Sequence, residues 1–153
     1  MRLFMEIIAK SAERTKKIGE ILAKEILKTG PAKKAVVLAL AGELGSGKTN
    51  FVQGFARGLG IEEKITSPTF VLMKRFKIKD VRFKNFYHLD CYRIQKPKDI
   101  LGLGLKEIIN NPKNIVAMEW ADKIRRALPK NAFWLKLKFV GKNTRKITIS
   151  KLW

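Results

Sequence analysis

Apolar residues follow two rhythms along the chain, and their order predicts most of its elements. Leu3 to Ala9 forms a first strand. From there Ile18, Ile21, Leu22 and Ile26 recur at helical spacing and predict a helix over residues 12–28 with Ser11 as its cap and Gly30-Pro31 as its stop. Ala35 to Ala41 is an unbroken apolar run of the buried-strand kind, after which Phe51, Val52, Phe55, Ala56 and Leu59 return to helical spacing until Gly58 and Gly60. Ile65-Thr66-Ser67-Pro68-Thr69 is non-helical, because proline disfavours the helical conformation of the residue before it. Thr69 to Phe76 and Arg82 to Leu89 then read as strands around a Lys77-Ile78-Lys79-Asp80 turn, followed by a short helix carrying Leu101, Leu105, Ile108 and Ile109. Ile115 to Glu119 is a second buried-strand run, this one ending in an acid. Period-two alternation over Phe133 to Val140 and Thr144 to Ile149, around Gly141-Lys142-Asn143, predicts a C-terminal hairpin. Strands and helices in this order give a three-layer α/β domain with a mixed central sheet.

Between the apolar run and the helix after it stands Gly42-Glu43-Leu44-Gly45-Ser46-Gly47-Lys48-Thr49, a complete GxxxxGK(S/T) phosphate-binding loop. Glycines at these positions let the backbone turn its N–H groups inward around a phosphate. Lys48 adds a point charge toward the β and γ phosphates, and the Thr49 hydroxyl is placed to ligate Mg²⁺. The strand, loop and helix setting is the one this motif requires, so the chain reads as a nucleotide-binding, P-loop NTPase-like domain, with parallel strands near the loop and antiparallel ones elsewhere.

Length and composition agree with one domain over residues 1–153. At 153 residues and 46% hydrophobic, the chain is long enough for one compact core, and it carries no repeat, low-complexity tract or linker-like shift. The longest apolar run is far too short to span a bilayer and Met1 to Lys10 lacks a signal-peptide core, so the expected location is cytoplasmic. Cys91, the only cysteine, excludes an intrachain disulfide and reads as a small core residue rather than a nucleophile. A net charge of +20, from 33 Lys and Arg against 13 Asp and Glu, leaves two readings: a surface that attracts polyanions, or a lysine-biased composition. No zinc-ligand spacing, RNA-recognition signature or basic stripe interleaved with aromatics is present, so charge supports proximity to RNA without sequence readout.

A phosphate loop needs carboxylate help, because Mg²⁺ takes hard oxygen ligands and the attacking water must be oriented. Glu119, at the end of its apolar run, and Asp90, in Phe86-Tyr87-His88-Leu89-Asp90-Cys91-Tyr92-Arg93, are the two candidates. Spacing alone leaves each open as a strand-end surface carboxylate. His88, the sole histidine, stands beside Asp90 on a strand and is expected to be structural. Arg57, Arg75, Arg93, Arg125 and Arg126 are all possible phosphate or partner contacts, and spacing does not choose among them.

The phosphate loop, Ser67-Pro68-Thr69-Phe70, His88-Leu89-Asp90-Cys91-Tyr92-Arg93, Gly102-Leu103-Gly104-Leu105-Lys106-Glu107 and Glu119-Trp120, in this order and spacing, resemble the bacterial TsaE (YjeE) family from about Ser11 to Trp120. The resemblance implies an ATPase that binds ATP or ADP with Mg²⁺. It also implies partners, TsaB and TsaD, in forming the threonylcarbamoyladenosine modification beside the anticodon of tRNAs that read codons starting with A, with tRNA reached at least indirectly through that complex. Residue by residue, it makes Glu43, Leu44, Gly45, Ser46, Gly47, Lys48 and Thr49 the nucleotide cradle and Thr49 and Glu119 the magnesium-side residues. Asp90 becomes an acid required for hydrolysis, and Thr69 part of a segment sensing the γ-phosphate. Trp120 is expected close enough to report nucleotide binding. The adenine side is unassigned, and Ser11 is carried there beside its simpler role as a helix cap. Glu43 stands where the family usually has aspartate, Ser46 where alanine is common, and Cys91 where a larger apolar residue is frequent; none of these is a required group.

Three other classes are weighed. A small GTPase needs an NKxD-type motif, and no Asn-Lys pair occurs in the chain, while the DxxG match at Asp99 to Gly102 follows Lys96-Pro97-Lys98 rather than a buried strand. A small P-loop kinase of a metabolite or nucleoside shares the loop but calls for an arginine-rich lid and an acceptor pocket, neither identifiable here. A non-enzymatic assembly factor would use bound ATP as a conformational switch.

Overall fold

The computed structural model describes residues 2–66 and 73–152. Its centre is a seven-stranded mixed sheet in the order β1-β7-β6-β2-β5-β4-β3. These strands are β1 (Arg2–Ala9), β2 (Val36–Ala41), β3 (Met73–Lys77), β4 (Asn85–Asp90), β5 (Asn114–Glu119), β6 (Phe133–Phe139) and β7 (Arg145–Leu152). The inner strands β6, β2, β5 and β4 run parallel to one another. Antiparallel pairings of β1 with β7, β7 with β6 and β3 with β4 complete both flanks.

Helices α1 (Ala12–Thr29) and α2 (Lys48–Gly58) cover one face of the sheet over a core that includes Leu38, Leu40, Phe51, Phe55 and Phe86. Short helices α3 (Pro97–Leu101) and α4 (Leu105–Asn110), with a 3₁₀ segment over Ala121–Ala127, cover part of the other, over Val37, Leu89, Val116 and Met118. Alternation explains the split: odd residues of β5 and even residues of β4 face α2, and their neighbours face the opposite core. β2 and β5 are buried on both faces, which is why they read as unbroken apolar runs.

The predicted three-layer α/β architecture, mixed sheet and C-terminal hairpin are all present. Boundaries differ in two places. The first residues of the strand expected from Thr69 lie outside the described residues, and Met73–Lys77 is its described part. Its return is longer than a four-residue turn, because β3 runs through Lys77 and the Asp80 carboxylate accepts from the Arg82 and Phe83 N–H groups at 2.7 and 3.0 Å, holding the chain out until Asn85. The single helix expected around Leu101 to Ile109 is two, divided at Gly102-Leu103-Gly104. The 3₁₀ segment after Trp120 has no counterpart in the apolar periodicity.

α1 and α2 meet at backbone distance. A Cβ built on Gly54 would lie 1.8 Å from the Lys16 carbonyl oxygen, one on Gly58 2.5 Å from that of Glu20, and one on Gly19 2.3 Å from that of Phe51. Only glycine permits this approach. Helix propensity favours alanine over glycine by about 1 kcal/mol, but a clash with fixed backbone costs about 1–3 kcal/mol or more, so packing decides. Gly54→Ala should therefore lower stability by about 2 kcal/mol or more. In contrast, Gly102→Ala, whose Cβ would meet nothing nearer than 3.8 Å, should be close to neutral. Denaturant midpoints of the two variants check this; equal midpoints would contradict the close approach.

Candidate functional site

The phosphate loop leaves the carboxyl end of β2 at Gly42 and enters α2 at Lys48, so the helix N-terminus and the curled loop amides converge on one spot. Gly42, Gly45 and Gly47 have φ of 150°, 78° and 104°, values that branched residues at these positions would not sustain. Leu44 projects from the loop at 78% exposure, Glu43 and Gly45 are exposed, and Ser46 is buried. Lys48 is 5% exposed. Its Nζ donates to the carbonyl oxygens of Gly42 and Glu43, the latter at 2.9 Å, and to Ser46 Oγ at 3.4 Å. The same ammonium lies 4.1 Å from the centre of the Trp120 ring. Burial draws the Lys48 pKa below its ordinary value, while the Glu119, Asp122 and Asp90 carboxylates draw it back.

Parallel register brings the acids to the loop. Glu119 on β5 is partnered with Leu40 on β2 and with Asp90 on β4, so both carboxylates end their strands level with the start of the loop. Thr49 Oγ1 donates to Glu119 Oε1 at 3.0 Å across 70 residues of sequence. The other carboxylate oxygen, Oε2, is 2.6 Å from His88 Nε2, and both side chains are buried. Held between Thr49 and His88, the Glu119 carboxyl group has a fixed orientation. Asp90 Oδ1 accepts from the Tyr92 N–H at 2.9 Å, which orients this acid in turn.

Trp120 stands directly after Glu119 in the left-handed conformation, φ 59°, the one non-glycine residue with positive φ among those described. Its ring packs 4.9 Å from that of Tyr92. The strained turn drops the indole beside Lys48 instead of letting β5 run on. Beside the start of α2 an open recess of about 180 Å³ is lined by Ser11, Thr15, Gly47, Asn50, Asn143 and Arg145. Ser11 Oγ accepts from the Arg14 N–H at 3.1 Å, so it caps α1 and also borders this recess.

Arg145 was not among the five arginines picked out by sequence. It donates from Nη2 to the Gly45 carbonyl at 3.2 Å and stacks on Phe139 at 4.0 Å. No local motif marks it; only the hairpin brings it to a loop 100 residues earlier. Of the five, Arg57 is committed elsewhere, bridging α2 to Glu20 at 3.0 Å, and Arg125 lies 3.9 Å over the Trp134 ring. Thr69 lies outside the described residues.

The donor set suits Mg²⁺. Thr49 and Glu119 offer a hydroxyl and a carboxylate oxygen 3.0 Å apart, with Asp90 on the adjoining strand, and these hard oxygens are what this ion takes alongside phosphate and water. Among the described residues no group of three or more His, Cys, Asp or Glu side chains forms a metal site by itself.

Cys91 follows Asp90 into the core, fully buried, and burial together with the neighbouring Asp90 charge pushes its thiol from 9.0 up to about 12. The thiol should resist labelling by a disulfide reagent at pH 8 in the native protein and react at once in denaturant. Because the folded thiol stays protonated while the unfolded one ionises, Cys91 should contribute no pH dependence below about pH 9 and should lower stability progressively from there toward pH 12. Rapid native labelling at pH 8 would contradict the burial.

Comparison with known proteins places this geometry. The family model for "Threonylcarbamoyl adenosine biosynthesis protein TsaE" matches residues 9–147, beyond the Ser11 to Trp120 stretch that carries the motifs. The tRNA threonylcarbamoyladenosine biosynthesis protein TsaE of Treponema pallidum is 32% identical over 146 residues, covering 95% of this chain and all of that protein. Its namesake from Bacillus subtilis is 36% identical over 138 residues, covering 90% of this chain and 80% of that one. The crystal structure of Bacillus subtilis YdiB superposes with a TM-score of 0.78 and 31% identity over the whole of this chain and 88% of its own. A family match spanning nearly the entire sequence, on a fold with the phosphate loop, Thr49 and Glu119 brought together, shows that the chain belongs to the TsaE family of tRNA threonylcarbamoyladenosine biosynthesis proteins.

Proposed function

We propose that the protein binds ATP with Mg²⁺ and hydrolyses it, weakly alone and faster with TsaB and TsaD, to support formation of threonylcarbamoyladenosine beside the tRNA anticodon. Residues 1–153 act in this as one ATPase domain in the cytoplasm. Among the described residues no helix is long and apolar enough to cross a membrane. The observation that carries the proposal is the 3.0 Å contact between Thr49 and Glu119, which joins the phosphate loop to the end of β5.

The loop amides and the N-terminus of α2 cradle the phosphates, and Lys48 exchanges its carbonyl contacts for phosphate oxygens. Thr49 and Glu119 would hold Mg²⁺, whose chemistry there would be to neutralise phosphate charge. His88 holds Glu119 in one orientation. Asp90, level with Glu119 on β4, orients the attacking water, and Thr69 senses the γ-phosphate. Ser11 and its neighbours in the recess face the nucleoside end, while Trp120 lies on the phosphate side against Lys48.

Two substitutions separate binding from turnover. Lys48→Ala should weaken ATP binding by about tenfold or more, since a charge-assisted contact contributes about 1.5–3 kcal/mol. Titration followed by tryptophan fluorescence checks this, and Trp120→Phe should remove the signal without removing binding. Glu119→Ala and Asp90→Ala should each lower hydrolysis about a hundredfold while changing affinity little, because positioning of the water and the charge counts most in the transition state. Phosphate release measured with and without TsaB and TsaD tests the whole proposal; fast hydrolysis by the isolated chain, or no response to the partners, would overturn the partner-dependent part.

A further inference from the structure

α1 and α2 cover one face of the β1-β7-β6 flank. On the opposite face its side chains stay exposed or half-exposed. Register sets out that open face in rows. Phe4, Ser150 and Trp134 lie side by side, as do Ile8, Lys146 and Lys138, with Glu6, Thr148 and Lys136 between them. Phe4 is 56% exposed, a high value for a phenylalanine on a sheet face. Glu6, the one acid of these rows, is answered by Lys146 at 3.3 Å.

Beside the Trp134 row the surface sinks into an open recess of about 460 Å³, lined among others by Arg2, Arg125, Lys130, Trp134 and Lys136, with no acidic side chain in its lining. The Arg125 guanidinium lies over the indole, 3.9 Å from its centroid, and Phe4 stands in the same row as Trp134 with Ser150 between them. Cations and stacking surfaces that are scattered in sequence are thus interleaved in space. An acidic protein would use the charge and has no need of planar platforms. A nucleic acid strand uses both, phosphates on the lysines and bases on the aromatic and guanidinium planes. Lys136 is partnered with Ala41, the residue before the phosphate loop, so this face adjoins the nucleotide site without sharing its residues.

We infer that the open face of β1, β7 and β6 binds single-stranded RNA directly, stacking bases on Phe4 and the Arg125–Trp134 pair and pairing phosphates with Arg2, Lys130, Lys136 and Lys138. The choice of RNA rests on the family's tRNA pathway; the stacking and charge are read from the face itself.

Anisotropy of a labelled single-stranded RNA of about twelve nucleotides, titrated with the full chain, tests it. The single strand should bind more tightly than an RNA duplex of equal length. Phe4→Ser and Trp134→Leu should each weaken binding by about fivefold to a hundredfold. Lys136→Glu with Lys138→Glu should flatten the log–log salt dependence by about 1.4, whereas Lys33→Glu with Lys34→Glu, the same charge change in the connection before β2, should leave the slope nearly unaltered. Equal losses from the two charge reversals, or unchanged affinity in Phe4→Ser, would overturn the inference in favour of bulk charge. Retained RNA binding with lost association to TsaB and TsaD would make the face a protein-docking surface instead. ATP titration of the same samples shows which variants are folded, and failure of the parent to bind ATP would sink the ATPase proposal while leaving the RNA result standing. If Trp134→Leu does not fold, the exposed Phe4→Ser and the lysine pair decide.

Discussion

A buried carboxylate organises this molecule. Glu119 is 2% exposed at the end of a strand buried on both faces, where an unpaired charge would be untenable. Its two oxygens are satisfied from opposite directions, by Thr49 on the phosphate loop and His88 on the next strand. Loop, β5 and β4 are thereby fastened to one another through a single group. Loss of either partner would leave the charge half-compensated, and the orientation of the loop's first helical turn would go with it. The parallel order of β2, β5 and β4 is what makes the arrangement possible, since it ends three strands on one side.

Lys48 and Trp120 show the same economy on the other side of the loop. The ammonium is held by loop carbonyls and an indole, and the indole is held in place by a backbone conformation that costs a bulky residue about 1–2 kcal/mol. Strain of this size is sustained because Tyr92 and the second core fix the ring from behind. An anion reaching Lys48 would therefore displace contacts the ammonium already makes, so its affinity there would reflect the difference between two sets of contacts rather than the sum of one.

Local signals in the sequence carried the loop, the two buried strands, α1 and the C-terminal hairpin, because each depends on periodicity or on glycines within a few residues. Glu119 and Asp90 were visible as strand-end acids, yet nothing in their spacing distinguished a site from a surface; the register across β2, β5 and β4 does that. Arg145 and Asn143 were invisible for a related reason, since only the pairing of β6 with β7 returns them to the loop. The split between α3 and α4 turns on Gly102 and Gly104, which interrupt an apolar spacing that otherwise reads as continuous. Likewise the basic and aromatic residues of the open sheet face form no stripe in sequence. They become neighbours only across strands.

The glycine contact between α1 and α2 also fixes the recess beside the start of α2. Ser11 caps one of these helices and Lys48 opens the other, so two walls of the recess belong to a single rigid body with no room for one helix to slide past its partner. The remaining wall, Asn143 and Arg145, belongs to the β6-β7 hairpin, whose backbone also closes on the loop: a Cβ built on Gly42 would lie 2.5 Å from the Leu137 carbonyl oxygen. The width of the recess is therefore set by glycine on both sides, at Gly19, Gly54 and Gly58 between the helices and at Gly42 between the loop and the hairpin.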